Sequence, residues 1–133
     1  MAKSPKQQFR QALEQEHGRT MRVLRAYPDE QSDFKPNERS RAARDVAWPL
    51  ALGHGRLMVK ALTTGFDWSQ PPAAPPAVPA KMSEVAAAVE GSYREAMAAL
   101  DAADDAKLDT TVQFFVAPKT MGDIPVIDFL WFL

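Results

Sequence analysis

The sequence predicts an all-α protein: a four-helix bundle with a long proline-rich crossover and a short or truncated last helix, forming one domain over residues 1–133. Three observations carry this reading. Apolar residues recur at three- and four-residue steps through three long stretches, the period of helices that bury one face. Residues 69–80, SQPPAAPPAVPA, hold five prolines in twelve positions and make a stiff, extended connector instead of a tight turn. A chain of 133 residues can bury one core without disulfides, and this one has no cysteine, which removes thiol nucleophiles, zinc fingers and disulfide frameworks together.

The first helix begins at Ser4-Pro5-Lys6-Gln7. Ser4 serves as N-cap, Pro5 takes the first helical position where its missing N–H costs nothing, and Gln7 stands where a capping-box partner belongs. The helix runs to about Tyr27, with Phe9, Leu13, His17, Met21 and Leu24 on one face. Gly18 weakens it by about 1 kcal/mol relative to alanine if it is exposed, and Pro28 ends it. Residues 29–37 are polar, contain Pro36, and read as a surface loop.

The second helix falls within 40–67, capped by Asn37 or Ser40, and reads as the element around which the others pack. Ala43, Val46, Leu50, Leu57 and Ala61 give it an apolar stripe, and Trp48, Leu52, Val59 and Leu62 give it a second apolar side, as in a helix at the centre of a bundle or in an interface. Pro49 lies about two turns in, where it deletes a backbone hydrogen bond and clashes with the preceding turn, so a kink is expected there. His54 is the one polar residue on the main stripe.

After the crossover the third helix spans about 81–104, with Ser83 as cap. Its seam is Met82, Val85, Val89, Tyr93, Ala96, Leu100 and Ala103, and Lys81, Glu84, Glu90, Arg94, Glu95 and Asp101 mark its wet side. The run TTVQFFV within 108–121 is β-branched and aromatic, which predicts an extended stretch or a short hairpin strand closed by Ala117-Pro118. Gly122-Asp123 reads as a turn and N-cap, with Pro125 in the first turn of a final apolar helix, VIDFLWFL.

A formal charge of −1, from 16 basic and 17 acidic residues, makes no electrostatic case for nucleic acid or an anionic membrane. The polar start MAKSPKQQFRQ is not a signal peptide, and no apolar run approaches the roughly 20 residues of a membrane helix. The expectation is a cytoplasmic protein.

The segments FRQALEQEHGRTMRVLRAYP and FKPNERSRAARDVAWPLALG, the proline-rich crossover and DIPVIDFLWFL, in that order, resemble the DinB/YfiT-like family of helical-bundle proteins. The resemblance implies a four-helix bundle, usually a homodimer, with a divalent metal such as Zn or Ni held by three histidines. One of these comes from a pattern like LAWH on the second helix and two from an HxxxH pair on the last. Members include thiol-dependent transferases and hydrolase-like proteins. Here the segment 46–49, Val-Ala-Trp-Pro, puts Pro49 in the histidine's place, and the HxxxH pair would lie past Leu133.

The remaining metal candidates are His54 and His17. His54 lies five residues after Pro49, about 140° further round an ideal helix. His17 is on the inward face of the first helix, and Glu14, Asp45 and Asp128 offer oxygen ligands to complete an N/O set. The plainer alternative makes both histidines hydrogen-bonded core residues. Arg39, Arg41 and Arg44 form a small basic patch, read first as solvated surface and second as a phosphate contact; Trp48, Trp68 and Trp131 anchor the core or a dimer face. Two functions follow: a metal-free bundle that binds a small molecule or a partner, or a divalent-metal-dependent enzyme, thiol transferase or hydrolase-like, with ligands beyond Leu133.

Overall fold

Helix α4 (Met82–Ala102) lies at the centre of the computed structural model, which describes residues 2–133. It is contacted by α1 (Pro5–Ala26), α2 (Ala43–Leu52), a π-helical turn (Gly53–Met58) and α3 (Val59–Leu62). The stretch 40–67 is therefore not the organising element. Of its predicted stripe only Val46, 56% exposed, and Leu50, 39% exposed, turn outward; Ala61 is buried, and the rest of the buried face is Ala47, Ala51, Met58 and Leu62. Before the π-turn the inward residues Ala47 and Ala51 are small and let the helix lie close against alanine-rich α4, while the larger Val46 and Leu50 sit on the other side.

The first helix matches its sequence signals. The Gln7 amide donates to Ser4 Oγ at 3.2 Å and the Ser4 amide donates to Gln7 Oε1 at 2.9 Å. Phe9, Leu13, His17, Met21 and Leu24 are its buried residues. The caps of the other long helices come from elsewhere than expected. The N-cap of α2 is Ala42, with no side-chain cap bond, and the amides of Ala43 and Arg44 donate to the carbonyls of Phe34 and Ser32. Asn37 instead closes a local turn by accepting from the Arg39 amide at 3.0 Å. The start of α4 is capped across the chain: the Met82 amide donates to Ser32 Oγ at 2.9 Å, and the Ser83 amide donates to Asp29 Oδ1 at 2.8 Å. The loop that precedes α2 thus satisfies the amides that open α4.

The helical run continues through Pro49 without a break and loosens into the π-turn before closing as α3. The crossover runs back along it without regular structure. Its carbonyls at Ala73, Pro76, Val78 and Pro79 accept from Arg56, Trp48 and, for the last two, Arg44. Trp48 and Arg44 therefore fasten the connector, and Arg44 is also paired with Asp33 at 2.8 Å, so the basic patch is partly a structural clamp.

The all-α expectation is overturned by a two-stranded antiparallel sheet. Strand β1 (Thr111–Ala117) pairs with β2 (Thr120–Pro125), from Thr111 opposite Pro125 to Ala117 opposite Thr120. The fold is mixed, helices plus a hairpin, and not a pure four-helix bundle. Gly122 and Asp123 sit inside β2 and not in a turn or cap; the turn is at Pro118 and Lys119, where Lys119 adopts φ 58°. A short helix, α5 (Asp105–Asp109), precedes the hairpin, and Asp104 caps it by accepting from the Lys107 amide at 2.8 Å. The final helix, α6 (Val126–Phe132), buries Val126, Phe129 and Leu130. Among the described residues no helix is long and apolar enough to cross a membrane.

The interior divides in two. One cluster, near the hairpin, holds Phe9, Leu13, Met58, Leu62, Ala96, Leu100 and α6. The other holds Met21, Leu24, Ala47, Ala51, Met82, Val85 and Val89.

Candidate functional site: a polar layer between two cores

The boundary between these cores falls at the same level on each helix that crosses it. On α1 it lies between Leu13 and Met21, on the second helical run between Ala51 and Met58, and on α4 between Val89 and Ala96. The residues at that level are His17, His54, and Glu90 with Ser92 and Tyr93. Both predicted histidines are therefore at one level, from different elements.

His17 sits one helical step from Leu13 and from Met21, so the period that builds the buried face also places its ring inside; it is 7% exposed. Its Nε2 lies 2.7 Å from Glu90 Oε2. Its ring stacks on Tyr93 with centroids 3.6 Å apart and planes 7° from parallel. Glu90 and Tyr93 are three residues apart on α4, neighbours on one helix surface, so one helix both hydrogen-bonds and stacks the ring. Arg94 at 3.4 Å and Arg25 at 3.8 Å hold Glu90 from the outside. The His17 bond, then the two arginines, keep the Glu90 carboxyl below its ordinary range against the opposing effect of burial. Burial raises the Tyr93 phenol.

The Glu90 carboxylate accepts from His17 Nε2, so that nitrogen carries a proton and the stacked ring is held in one orientation. His17 Nδ1 is buried and has no partner. His54 Nδ1 is in the same condition. Burial, and then the electrostatic effect of His17, lower the His54 pKa from 6.5, so the ring is neutral at pH 7.

His54 is positioned by an irregular stretch of helix. Pro49 has no N–H to give to the carbonyl four residues back, and one turn later the ladder takes i→i+5 spacing over Gly53–Met58. Gly55 lets this turn approach α4: a Cβ there would lie 2.7 Å from Ser92 Oγ and 3.1 Å from Ser92 Cβ. The π-turn and the glycine together set His54 into the layer.

The other sequence candidates stand apart. Glu14 pairs loosely with Arg10 at 3.7 Å, Asp45 lies in the first turn of α2, and Asp128 is exposed on α6. Among the described residues no group of three or more His, Asp or Glu is arranged to hold a metal. The three-histidine centre that the resemblance implies does not fit these residues, because Pro49 is exposed and carries no donor atom in its side chain. Sequence reasoning assigned Glu90 to the wet side of α4 and missed it as the partner of His17. Its position next to Val89 and three before Tyr93, at the edge of the apolar seam, was the available signal. In comparison with known proteins, no family model matches the chain, and no curated protein and no solved structure matches it.

Proposed function

We propose that this chain is a DinB-like protein that acts by binding and not as a self-contained enzyme, and that its binding centre is the His17–His54 layer. The observation that carries this is the pair of buried, unpartnered Nδ1 atoms. A buried polar atom with no partner costs about 1–3 kcal/mol, a cost that a guest able to hydrogen-bond to the nitrogen removes. The layer holds no serine–histidine–acid arrangement and no cysteine is present in the chain, so the two imidazoles offer acceptors without a companion nucleophile. DinB-like descent is supported by the order of the four sequence segments, including the crossover that the fold uses to return along α2. A homodimer accompanies this reading, supported by exposed Trp131, Phe132 and Leu133 at the end of α6 and measured by sedimentation across a concentration series.

The test is long-range 1H–15N correlation of the imidazoles at pH 7.5. With only two histidines in the chain, the spectrum is assigned by one variant. The binding reading expects two neutral rings, with the His17 lone pair on Nδ1. A His17 ring protonated on both nitrogens leaves no open acceptor, and the reading falls.

A further inference from the structure

We propose that the connector leading into α4 is a docking strap. Its residues 71–75, Pro-Pro-Ala-Ala-Pro, present a polyproline II ridge to a folded partner domain whose groove is lined with aromatic side chains and rimmed with carboxylates. This surface is separate from the histidine layer and does not depend on it.

The first ground is conformation. A proline fixes its own φ near −65° and holds the residue before it in the extended region. With prolines at 71, 72, 75, 76 and 79, every residue from Gln70 to Pro79 except Ala73 and Ala77 is under one of these restraints. No helix or strand forms over 71–79, and no cis peptide bond occurs among the described residues. The segment is therefore set for the left-handed helix of three residues per turn, which makes no hydrogen bonds of its own.

The second ground is anchorage on one edge. Arg56 donates to the Ala73 carbonyl at 3.4 Å, Trp48 to that of Pro76 at 3.3 Å and Arg44 to that of Pro79 at 3.3 Å. Acceptors three residues apart match one turn of polyproline II, so the same edge of the strap meets α2 and the π-turn at each turn. Ala73, one of the two unrestrained positions, is thereby tied down.

The third ground is exposure. Pro71, Pro72, Ala74 and Pro75 are all exposed, whereas Val78 and Pro79, nearer α4, are half-buried. The pairs Pro71-Pro72 and Ala74-Pro75 stand three residues apart and so repeat on one side of the turn, the spacing of the PxxP segments that aromatic-lined grooves accept. A ridge already held in its bound form loses little freedom on docking. The charges beside the strap are basic: Arg56 adjoins Ala73, and exposed Lys81 follows its end. Among the described residues neither forms a salt bridge, so acidic residues on the rim of the groove complete them.

The experiment titrates the 15N-labelled full chain with two purified probes, an SH3 domain and a WW domain, and follows amide shifts. At least one probe is expected to shift Ala73, Ala74 and Ala77 saturably, to be displaced by a proline-rich peptide known to fill its groove, and to bind more weakly as salt is raised. The double variant Pro72→Ala/Pro75→Ala changes only exposed positions, keeps its circular dichroism spectrum and weakens binding about tenfold. Trp48→Phe keeps an aromatic body, releases the Pro76 carbonyl and weakens binding about threefold, through lost preorganisation alone. If neither probe shifts the strap amides, or if binding survives the double proline variant undiminished, the segment is a spacer only and the proposal is overturned.

Discussion

Gly55→Ala is expected to destabilise the protein, and a second substitution on the facing helix is expected to restore it. The added Cβ would stand 2.7 Å from Ser92 Oγ, 3.1 Å from Ser92 Cβ and 3.6 Å from Ser92 Cα. Rotation of the hydroxyl relieves the first of these contacts but not the second, because Ser92 Cβ is fixed to the α4 backbone. Overpacking of this kind costs about 1–3 kcal/mol, while replacing a helical glycine by alanine returns about 0.5–1 kcal/mol. The net loss is about 1 kcal/mol. Ser92→Gly alone removes the opposing atoms and loses up to about 1 kcal/mol as a glycine in a helix interior. In the double variant the small residue has changed sides: the clash is gone, the two helix terms nearly cancel, and stability returns to within about 0.5 kcal/mol of the starting protein. The cycle therefore predicts a coupling of about 1–3 kcal/mol that favours the double variant, read from urea denaturation followed by far-UV circular dichroism. Additive effects, within about 0.5 kcal/mol, would show that the π-turn and α4 do not meet at Gly55 and Ser92.

Stability is expected to fall as pH drops below the ordinary histidine value of 6.5, because burial lowers the His54 pKa and the unfolded chain then binds a proton that the fold refuses. The loss grows until the folded ring also titrates; it is followed by the urea midpoint between pH 7.5 and 5 and shrinks in His54→Gln. A separate loss below pH 4.5 is expected from Glu90, whose lowered carboxyl stabilises the fold above its ordinary range and loses that contribution as it is protonated. Ser32→Ala removes the acceptor for the buried Met82 amide and costs about 1–3 kcal/mol; an unchanged melting temperature would remove the cross-chain cap from the account. Lys119→Gly relieves the left-handed backbone at φ 58°. Relief of about 1–2 kcal/mol offset by the flexibility of glycine leaves a gain of about 0.5–1 kcal/mol, and a lower melting point would contradict the turn geometry.

Legibility in the sequence followed how local each cause is. The first helix was readable to its cap because Ser4, Pro5 and Gln7 act within one turn. The seam of α4 was readable because its large residues and its buried face coincide. The second helix was misread because Val46 and Leu50 are large and exposed, and its contact with α4 is made by alanines and Gly55, residues too small to mark a face. The hairpin was visible as β1, but Gly122 and Asp123 carry turn chemistry, and their place inside β2 depends on pairing with Phe114 and Gln113. The capping of α4 by Asp29 and Ser32 joins residues about 50 positions apart, beyond what a local pattern encodes. The two histidines were found and their common level was not, since it requires α1 and the π-turn to reach the same level of α4.

The local irregularities of this chain are concentrated in one place. Pro49 stands inside a helix, six residues from Gly53 to Met58 take π spacing, and the glycine at 55 has no room for a side chain. Among these lies His54, whose buried Nδ1 has no partner, at the level of the bundle where His17 Nδ1 is in the same state. Each feature has a cost when counted toward stability alone: a helix hydrogen bond is lost at the proline, the ladder is loosened in the π-turn, and the orphaned acceptors cost about 1–3 kcal/mol each. A sequence selected only for a stable core would fill this level with leucine and alanine, as the chain does immediately above and below it. Costs that cluster in one layer are what supports the proposed binding role over a purely structural one. His17 shares the feature on one side only: Glu90 satisfies its Nε2 and Tyr93 stacks on its ring, while its Nδ1 has no partner.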